Sequence, residues 1–153
     1  MRITKEISGR HDLFEYVGKV VIEKERIDDN IHLNNAHYFS ICEAQRDLFM
    51  KSCGIDKDAI RKNLGLRIVI AGNGNFKFID EVFEGDKIEI HTSAEVVLAH
   101  LQFSQHMIRE GVEVFNLQCK IAVIDAGGKS KELPKEEIID RINQANYPFL
   151  RRP

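Results

Sequence analysis

Hydrophobic and polar positions follow a helical period in one long segment and a strand period in several others. From Ala36 to about Cys53, apolar residues recur at steps of three and four, and Gly54 follows as a residue that ends helices. This spacing predicts a helix of about five turns. Strand-like runs cover residues 14–27, 68–78, 88–96, 101–107 and 117–123. The pattern predicts an α+β fold: one strand, a long central helix and a four-stranded antiparallel meander.

Turn-forming residues separate the predicted strands and begin a last helix. Gly85-Asp86 and Gly111 lie between strand-like runs, and Pro134 precedes an apolar stripe over residues 135–143. This stripe predicts a short C-terminal helix. One long helix covers only one face of a five-stranded sheet, and open strand edges favour pairing with a second chain. We therefore expect a dimer.

Composition excludes several classes of protein. The chain has 153 residues, of which 43% are hydrophobic and 30% charged, as in a soluble protein of one domain. Its 22 basic and 24 acidic residues give a net charge of −2 and no basic surplus for nucleic acid. No apolar run reaches the length of a membrane span, and Met1 to Glu6 lack the apolar core of a signal peptide. We expect a cytoplasmic protein with neither nucleic acid nor membrane as a partner.

The three cysteines carry little chemistry. Cys42, Cys53 and Cys119 are an odd number and form no Cys-x-x-Cys pair. This spacing disfavours both a disulfide framework and a zinc cluster. The cysteines are predicted to be small buried residues, and we expect no metal.

A dense group of polar residues precedes the predicted helix: Asp28, Asn30, His32, Asn34 and Asn35. A helix N-terminus presents free N–H groups and about half a positive charge, which can stabilise a carbonyl oxygen as it becomes negative. Asp28 can act as a base or nucleophile, and its polar neighbours can orient it or a water molecule. The same residue types also form ordinary helix caps. The pattern alone therefore leaves acyl transfer and a purely structural turn both open.

The motif around this turn resembles the signature of hotdog-fold thioesterases. Residues 28–38 have the pattern Asp-x-Asn-x-His-x-Asn-Asn-x-x-Tyr, and Glu43 lies five residues further on. The motif is similar to that of the 4-hydroxybenzoyl-CoA thioesterase branch, and its Asp-x-Asn-x-His spacing is closer still to acyl-carrier-protein thioesterases. The resemblance extends over residues 14–143 and includes the Gly85-Asp86 turn and Leu133-Pro134.

The resemblance implies both a fold and an activity. The fold is a single hotdog domain over residues 1–153, in which a five-stranded antiparallel sheet wraps around a long central helix. The activity is hydrolysis of an acyl-CoA or acyl-carrier-protein thioester without cofactor or metal. The family fold also implies a homodimer with two sites at its interface, and pairing of dimers into a tetramer is the larger alternative.

The resemblance also implies roles for individual residues. Asp28 would attack the thioester carbonyl or activate a water, and the backbone N–H of Asn35 would polarise that carbonyl. Asn30 and His32 would position the carboxylate or the water. The candidate substrate-binding residues are Asn34, Tyr38, Glu43 and Asn73. Tyr38 is expected to pack beside the site.

Two positions have competing interpretations. Glu43 lies four residues before Asp47 and eight before Lys51, so an ion pair on the helix surface is the alternative to substrate binding. Many relatives carry a proline where this chain has Glu81. We interpret that departure as a local backbone difference without bearing on the chemistry.

Two other functions remain as alternatives. A non-catalytic acyl-CoA-binding hotdog domain would bind its ligand without turnover, and it would not need a carboxylate placed at Asp28. A dehydratase of 3-hydroxyacyl thioesters would need a histidine and a carboxylate across the substrate, with a glycine near the helix start. This chain has Asn34-Asn35 at that point, which favours the thioesterase.

Overall fold

The structure, a computed structural model, combines a long helix with one antiparallel sheet and describes residues 13–52, 57–70, 74–97 and 100–131. The helices in these ranges are α1 (Asn35–Ser52) and α2 (Lys57–Leu64). The strands are β1 (Leu13–Val21), β2 (Arg67–Ile70), β3 (Asn75–Phe78), β4 (Lys87–Val97), β5 (His100–Arg109), β6 (Val112–Ile124) and β7 (Ser130–Lys131). Neither helix is long and apolar enough to cross a membrane.

The sheet has five strand positions in the order β1-β4-β5-β6-β2. β4, β5 and β6 form a meander, and β1 pairs with β4 on one side. β2 and β3 both pair with β6 on the other side, through Ile68 opposite Val123 and Phe76 opposite Leu117. β2 and β3 therefore form one interrupted edge of the sheet, and the short β7 pairs with the end of β6.

The structure corrects the predicted path of two strands. The predicted strand over 68–78 is divided into β2 and β3, and neither of them neighbours β4, so the meander has three strands rather than four. Just before β3 the chain lies close to β6. A Cβ atom added at Gly74 would lie only 2.7 Å from the Gln118 carbonyl oxygen. The first predicted strand ends at Val21 rather than at residue 27, since a 3₁₀ turn follows at Lys24–Arg26.

The long helix predicted after residue 35 is confirmed, and a second helix follows it. α1 begins one residue before the predicted start and continues to Ser52, the last described residue before the predicted end at Cys53. α2 is an additional helix of eight mostly polar residues that the predicted elements do not include. The predicted helix over 135–143 and the Leu133-Pro134 pair lie outside the described residues.

α1 packs its apolar face against the sheet and forms the core with it. The buried residues of α1 recur at helical spacing: Tyr38, Ile41, Cys42, Gln45, Arg46, Phe49 and Met50. Every second residue of β5 is buried on the facing side of the sheet: Leu101, Phe103, Gln105 and Met107. Burial of one large apolar side chain contributes about 1.5–3 kcal/mol. This interface therefore fixes where the N-terminus of α1 lies relative to the sheet.

The β5–β6 turn confirms the turn predicted at Gly111. Glu110 and Gly111 both have positive φ, of 50° and 79°, and they join the pair formed by Arg109 and Val112. Two consecutive left-handed residues are the mark of a type I′ hairpin, in which glycine is preferred because it has no Cβ.

Candidate active site

The polar residues before α1 form a tight hairpin loop. Ile27 pairs with Leu33, and the Asp28 N–H donates to the His32 carbonyl at 3.0 Å. The Ile31 N–H donates to the Asp28 carbonyl at 3.0 Å, and Ile31 itself has φ 71°. A turn followed by one left-handed residue is a common three-residue hairpin connection. It places Asp28 and His32 opposite each other across a narrow loop.

Ile31 is an unusual residue for this backbone conformation. A β-branched side chain at positive φ is a genuine outlier, and the left-handed region costs a non-glycine residue about 1–2 kcal/mol. Ile31 is 75% exposed, so burial does not offset this cost. Backbone strain is therefore stored in the loop that carries Asp28.

The two oxygens of the Asp28 carboxylate have different partners. Oδ1 accepts a hydrogen bond from the Asn30 N–H at 2.9 Å, which is an Asx turn. Oδ2 lies 3.6 Å from His32 Nε2. The backbone N–H of Asn30 thus orients Asp28. The Asn30 side chain makes no hydrogen bond within the part of the chain that the structure describes. The Asp28 side chain is 23% exposed, so the carboxylate is oriented and also partly accessible.

His32 lies between two carboxylates. Its Nε2 lies 3.6 Å from Asp28 Oδ2, and its Nδ1 lies 3.3 Å from Glu81 Oε1. Glu81 therefore holds one side of the ring and thereby orients the side that faces Asp28. Glu81 was expected to have no bearing on the chemistry, but its side chain contacts the candidate site residue His32, a contact that a proline at this position could not make.

Arg109 holds the loop that carries Glu81. Its guanidinium donates to the Glu81 carbonyl at 2.6 Å and pairs with Asp80 and Asp86 at 3.0 and 2.9 Å. Asp86 also accepts a hydrogen bond from the Phe83 N–H at 2.9 Å. The hydrogen bond that Arg109 donates to Asp86 raises the pKa of Arg109, so the guanidinium keeps its charge. The Glu81 backbone is thus fixed by the end of β5.

The start of α1 has a capping side chain, that of Asn34, and a backbone N–H, that of Asn35, without a partner among the described residues. Asn34 Oδ1 accepts from the Ala36 N–H and its carbonyl accepts from the His37 N–H, both at 2.9 Å. Asn34 is therefore a helix cap, as the structural interpretation of the turn allowed. The Asn35 N–H has no hydrogen-bond partner among the described residues. The first turn of α1 contains no acidic side chain, so its own residues do not neutralise the partial positive charge at this end.

Tyr38 packs beside the start of α1, where its ring contacts an aromatic cluster. The ring is 3% exposed and lies 5.0 Å from that of Phe78 and 4.9 Å from that of Phe115, measured between centroids. Burial raises the pKa of Tyr38, and a hydrogen bond with the Val82 backbone opposes that rise. Its phenol therefore stays neutral. Asn73 lies outside the described residues.

A cleft of about 270 Å³ lies further along α1. Phe39, Glu43 and Arg46 of α1 line one wall, and residues of β2, β3 and β6 line the other. Glu43 is exposed and makes no ion pair within the described part of the chain. Asp47, which the sequence placed beside Glu43 in a row of surface charges, pairs with Lys57 of α2 at 2.7 Å.

The described cysteines are buried, as predicted. Cys42 and Cys119 are 0% and 5% exposed and are free thiols. Burial raises the pKa of Cys42 to about 12 and also raises that of Cys119. Neither is a nucleophile at neutral pH. Cys53 lies outside the described residues. Within the described ranges, no group of three or more His, Cys, Asp or Glu side chains could hold a metal ion.

Solved structures, thioesterases among them, have the same fold as this chain. A hypothetical protein of Staphylococcus aureus in complex with CoA matches with a TM-score of 0.76 and 19% identity, over 95% of this chain and 94% of that one. A 1,4-dihydroxy-2-naphthoyl-CoA thioesterase from Synechocystis matches with a TM-score of 0.75 and 13% identity, over 89% and 99%. A substituted 4-hydroxybenzoyl-CoA thioesterase bound to 4-hydroxybenzoyl-CoA matches with a TM-score of 0.73 and 16% identity, over 81% and 96%.

These likenesses confirm the hotdog fold, a curled antiparallel sheet packed on one long helix. Fold and family together define the class of protein as a thioester hydrolase. The family model of the thioesterase-like superfamily matches residues 22–142, about four fifths of the chain. The chain belongs to the thioesterase-like superfamily. No curated protein matches its sequence.

Proposed function

We propose that the chain hydrolyses an acyl thioester of CoA or of acyl carrier protein, with Asp28 as the base or nucleophile. The single observation that carries this proposal is the hairpin before α1. It joins the partly exposed carboxylate of Asp28 to a helix start whose Asn35 N–H has no hydrogen-bond partner among the described residues. The matching structures in complex with CoA and with 4-hydroxybenzoyl-CoA support CoA as the thiol.

The proposed reaction uses these two groups on the same carbonyl. The thioester oxygen binds the Asn35 N–H, which stabilises the negative charge that develops when the carbonyl carbon is attacked. Asp28 either attacks that carbon and forms a mixed anhydride, or removes a proton from the attacking water. The C–S bond breaks in both cases and the thiolate leaves; in the first case a water then hydrolyses the anhydride, which releases the acid and restores Asp28. A thiolate is a good leaving group, so the reaction needs no strong acid beside the sulfur.

Thiol release is the direct test of this activity. A thiol-reactive dye would report hydrolysis of short, long and aromatic acyl-CoAs and of acyl carrier protein loaded with the same acyl groups. Turnover of any thioester that depends on Asp28 supports the proposal. Tight binding of acyl-CoA without turnover by the folded protein would contradict it and favour the non-catalytic acyl-CoA-binding domain.

Glu81→Gln should weaken catalysis modestly. The substitution removes the negative charge that faces His32 Nδ1 at 3.3 Å. The Glu81 side chain is 63% exposed, and exposed ion pairs contribute at most about 1 kcal/mol, so we expect kcat to fall by about fivefold or less. Glu84→Gln, an exposed carboxylate of the same loop, is the matched control and should leave kcat unchanged. Equal kcat values for Glu81→Gln and Glu84→Gln would show that Glu81 does not contribute to catalysis.

We further propose that the chain forms a homodimer through the interrupted edge of its sheet, with a tetramer as the larger alternative. β2 and β3 each pair with β6 on one side, and Ile70 and Phe76 on this edge are 61% and 54% exposed. Open apolar strand edges favour pairing with another chain. The single domain over 1–153, which the family match over 22–142 supports, and its cytoplasmic location remain predictions.

Ile70→Lys should lower the mass of the assembly. The added charge would be buried if β2 lies in an interface, and burial of an unpaired charge is costly. Analytical ultracentrifugation should show a dimer or tetramer for the wild type and a shift toward monomer for this variant. Val112→Lys changes another apolar residue of similar exposure, 59%, at the β5–β6 turn and should keep the wild-type mass. A monomeric wild type would contradict the proposal.

A further inference from the structure

The cleft beside α1 contains a buried positive charge. Arg46 is 4% exposed, and its Nη1 donates to Gln105 Oε1 at 2.7 Å. Gln105 is itself fully buried and donates to the Cys42 carbonyl and to Thr92 Oγ1 at 2.9 and 3.0 Å. Gln105 therefore orients the guanidinium, but as a neutral amide it does not compensate the charge.

Arg46 lacks a counter-ion in the described part of the chain. No carboxylate there forms an ion pair with it, and a guanidinium carries five N–H donors, of which the Gln105 contact uses one. A buried charge without a partner costs several kcal/mol. Glu43 lines the same cleft but is exposed and pairs with no cation in the described ranges. Arg46 lines the cleft and keeps four N–H donors that no described residue accepts.

The cleft continues the helix face that begins at the proposed reaction centre. Asn35, Phe39, Glu43 and Arg46 follow each other at steps of four, four and three, which places them on one face of α1. At 1.5 Å per residue, Arg46 lies about 16 Å beyond Asn35 along the helix axis, and its long side chain leans back toward the N-terminus. An extended acyl group whose carbonyl lies at Asn35 would therefore run along this face toward the guanidinium.

We infer that this cleft binds the distal carboxylate of an ω-carboxyacyl thioester, with Arg46 as its partner; the inference rests on the proposed hydrolase function. A carboxylate compensates the buried charge and can accept two parallel N–H bonds from a guanidinium. The apolar side chains of Phe39, Ile70 and Phe76 line the same cleft and would contact the methylene chain between the two ends. The substrate class is thus the monothioester of a dicarboxylic acid.

Paired substrates test this inference. Thiol release from succinyl-, adipyl-, suberyl- and dodecanedioyl-CoA is compared with release from butyryl-, hexanoyl-, octanoyl- and dodecanoyl-CoA. Hydrogen bonds to charged groups contribute about 1.5–3 kcal/mol, so we expect kcat/KM to favour the best ω-carboxyacyl member over its length-matched partner by about ten- to hundredfold. Arg46→Met should bring that ratio close to one, and Arg46→Lys should lower it only partly, because an ammonium cannot make the bidentate contact. Arg61 of α2 is exposed, and Arg61→Gln is the control that should leave the kcat/KM ratio of the two substrate series unchanged.

A binding measurement separates this inference from the proposed activity. Free suberate should raise the melting temperature of the wild type more than octanoate does, and this difference should disappear in Arg46→Met. If that variant does not fold, Arg46→Lys serves for the same comparison. Equal turnover of the two series together with no preference for suberate would overturn the inference and leave the hydrolase intact. A preference for suberate that depends on Arg46, without turnover of any thioester, would support carboxylate binding in the cleft and contradict the proposed hydrolase activity.

Discussion

Asp28→Asn should lower kcat for thioester hydrolysis by about 10²–10⁴ while the fold is kept, because it removes the proposed base or nucleophile. The amide still has an oxygen that can accept the Asn30 N–H, now at 2.9 Å from Asp28 Oδ1, so the Asx turn is retained. Only the chemistry at the second oxygen is lost. Thiol release at saturating acyl-CoA measures the change in kcat, and circular dichroism with thermal unfolding measures the fold.

Asp29→Asn is the matched control for this prediction. Asp29 is the next residue in the same loop, carries the same charge and is exposed, so its substitution changes the charge of the loop by an equal amount. Its kcat should equal that of the wild type. Undiminished hydrolysis by Asp28→Asn, or an equal loss in both variants, would exclude Asp28 as the catalytic carboxylate.

The elements with strong local patterns could be predicted from the sequence. The helical period gave the start of α1 to within one residue, because its buried face and its cap are both local features. The edge of the sheet could not be predicted in the same way. Whether the segment after α2 pairs with β4 or with β6 depends on tertiary packing, and alternation of apolar residues is the same in both cases.

The site was predictable only where its residues are neighbours in the sequence. Asp28, His32 and Asn35 lie within one short motif, and the hairpin keeps them together. Glu81 reaches His32 from 49 residues away, and no local pattern indicates that contact. Its signal was the departure from a proline that many relatives carry. A charged residue that replaces proline beside a candidate catalytic motif is a reason to expect a side-chain contact.

Arg46 shows the same limit inside the helix. The sequence places it between Cys42 and Phe49, at a position that helical spacing assigns to the apolar face. A charged residue on that face is the signal that could have indicated a buried guanidinium. Its partner Gln105 lies 59 residues away on β5, so the contact depends on how α1 crosses the sheet.

Asn35→Pro should lower kcat by about 10²–10³ relative to Asn35→Ala, because only the proline variant lacks the N–H that is proposed to stabilise the oxyanion. Asn35 is the first residue of α1, and its N–H has no partner among the described residues. Proline is well tolerated at a first helical position, where its fixed φ suits the helix and no hydrogen bond is lost. The helix should therefore remain while the donor disappears.

The kinetic signature distinguishes a lost donor from a displaced substrate. An interaction made only in the transition state affects kcat and kcat/KM equally, so KM should be similar in the proline and alanine variants. Helical content by circular dichroism should match in both. Equal kcat in the two folded variants would show that the Asn35 N–H does not contact the reacting carbonyl. A rise in KM at constant kcat would instead show that this N–H binds the substrate and the transition state equally well, so it would not account for the stabilisation of the developing charge.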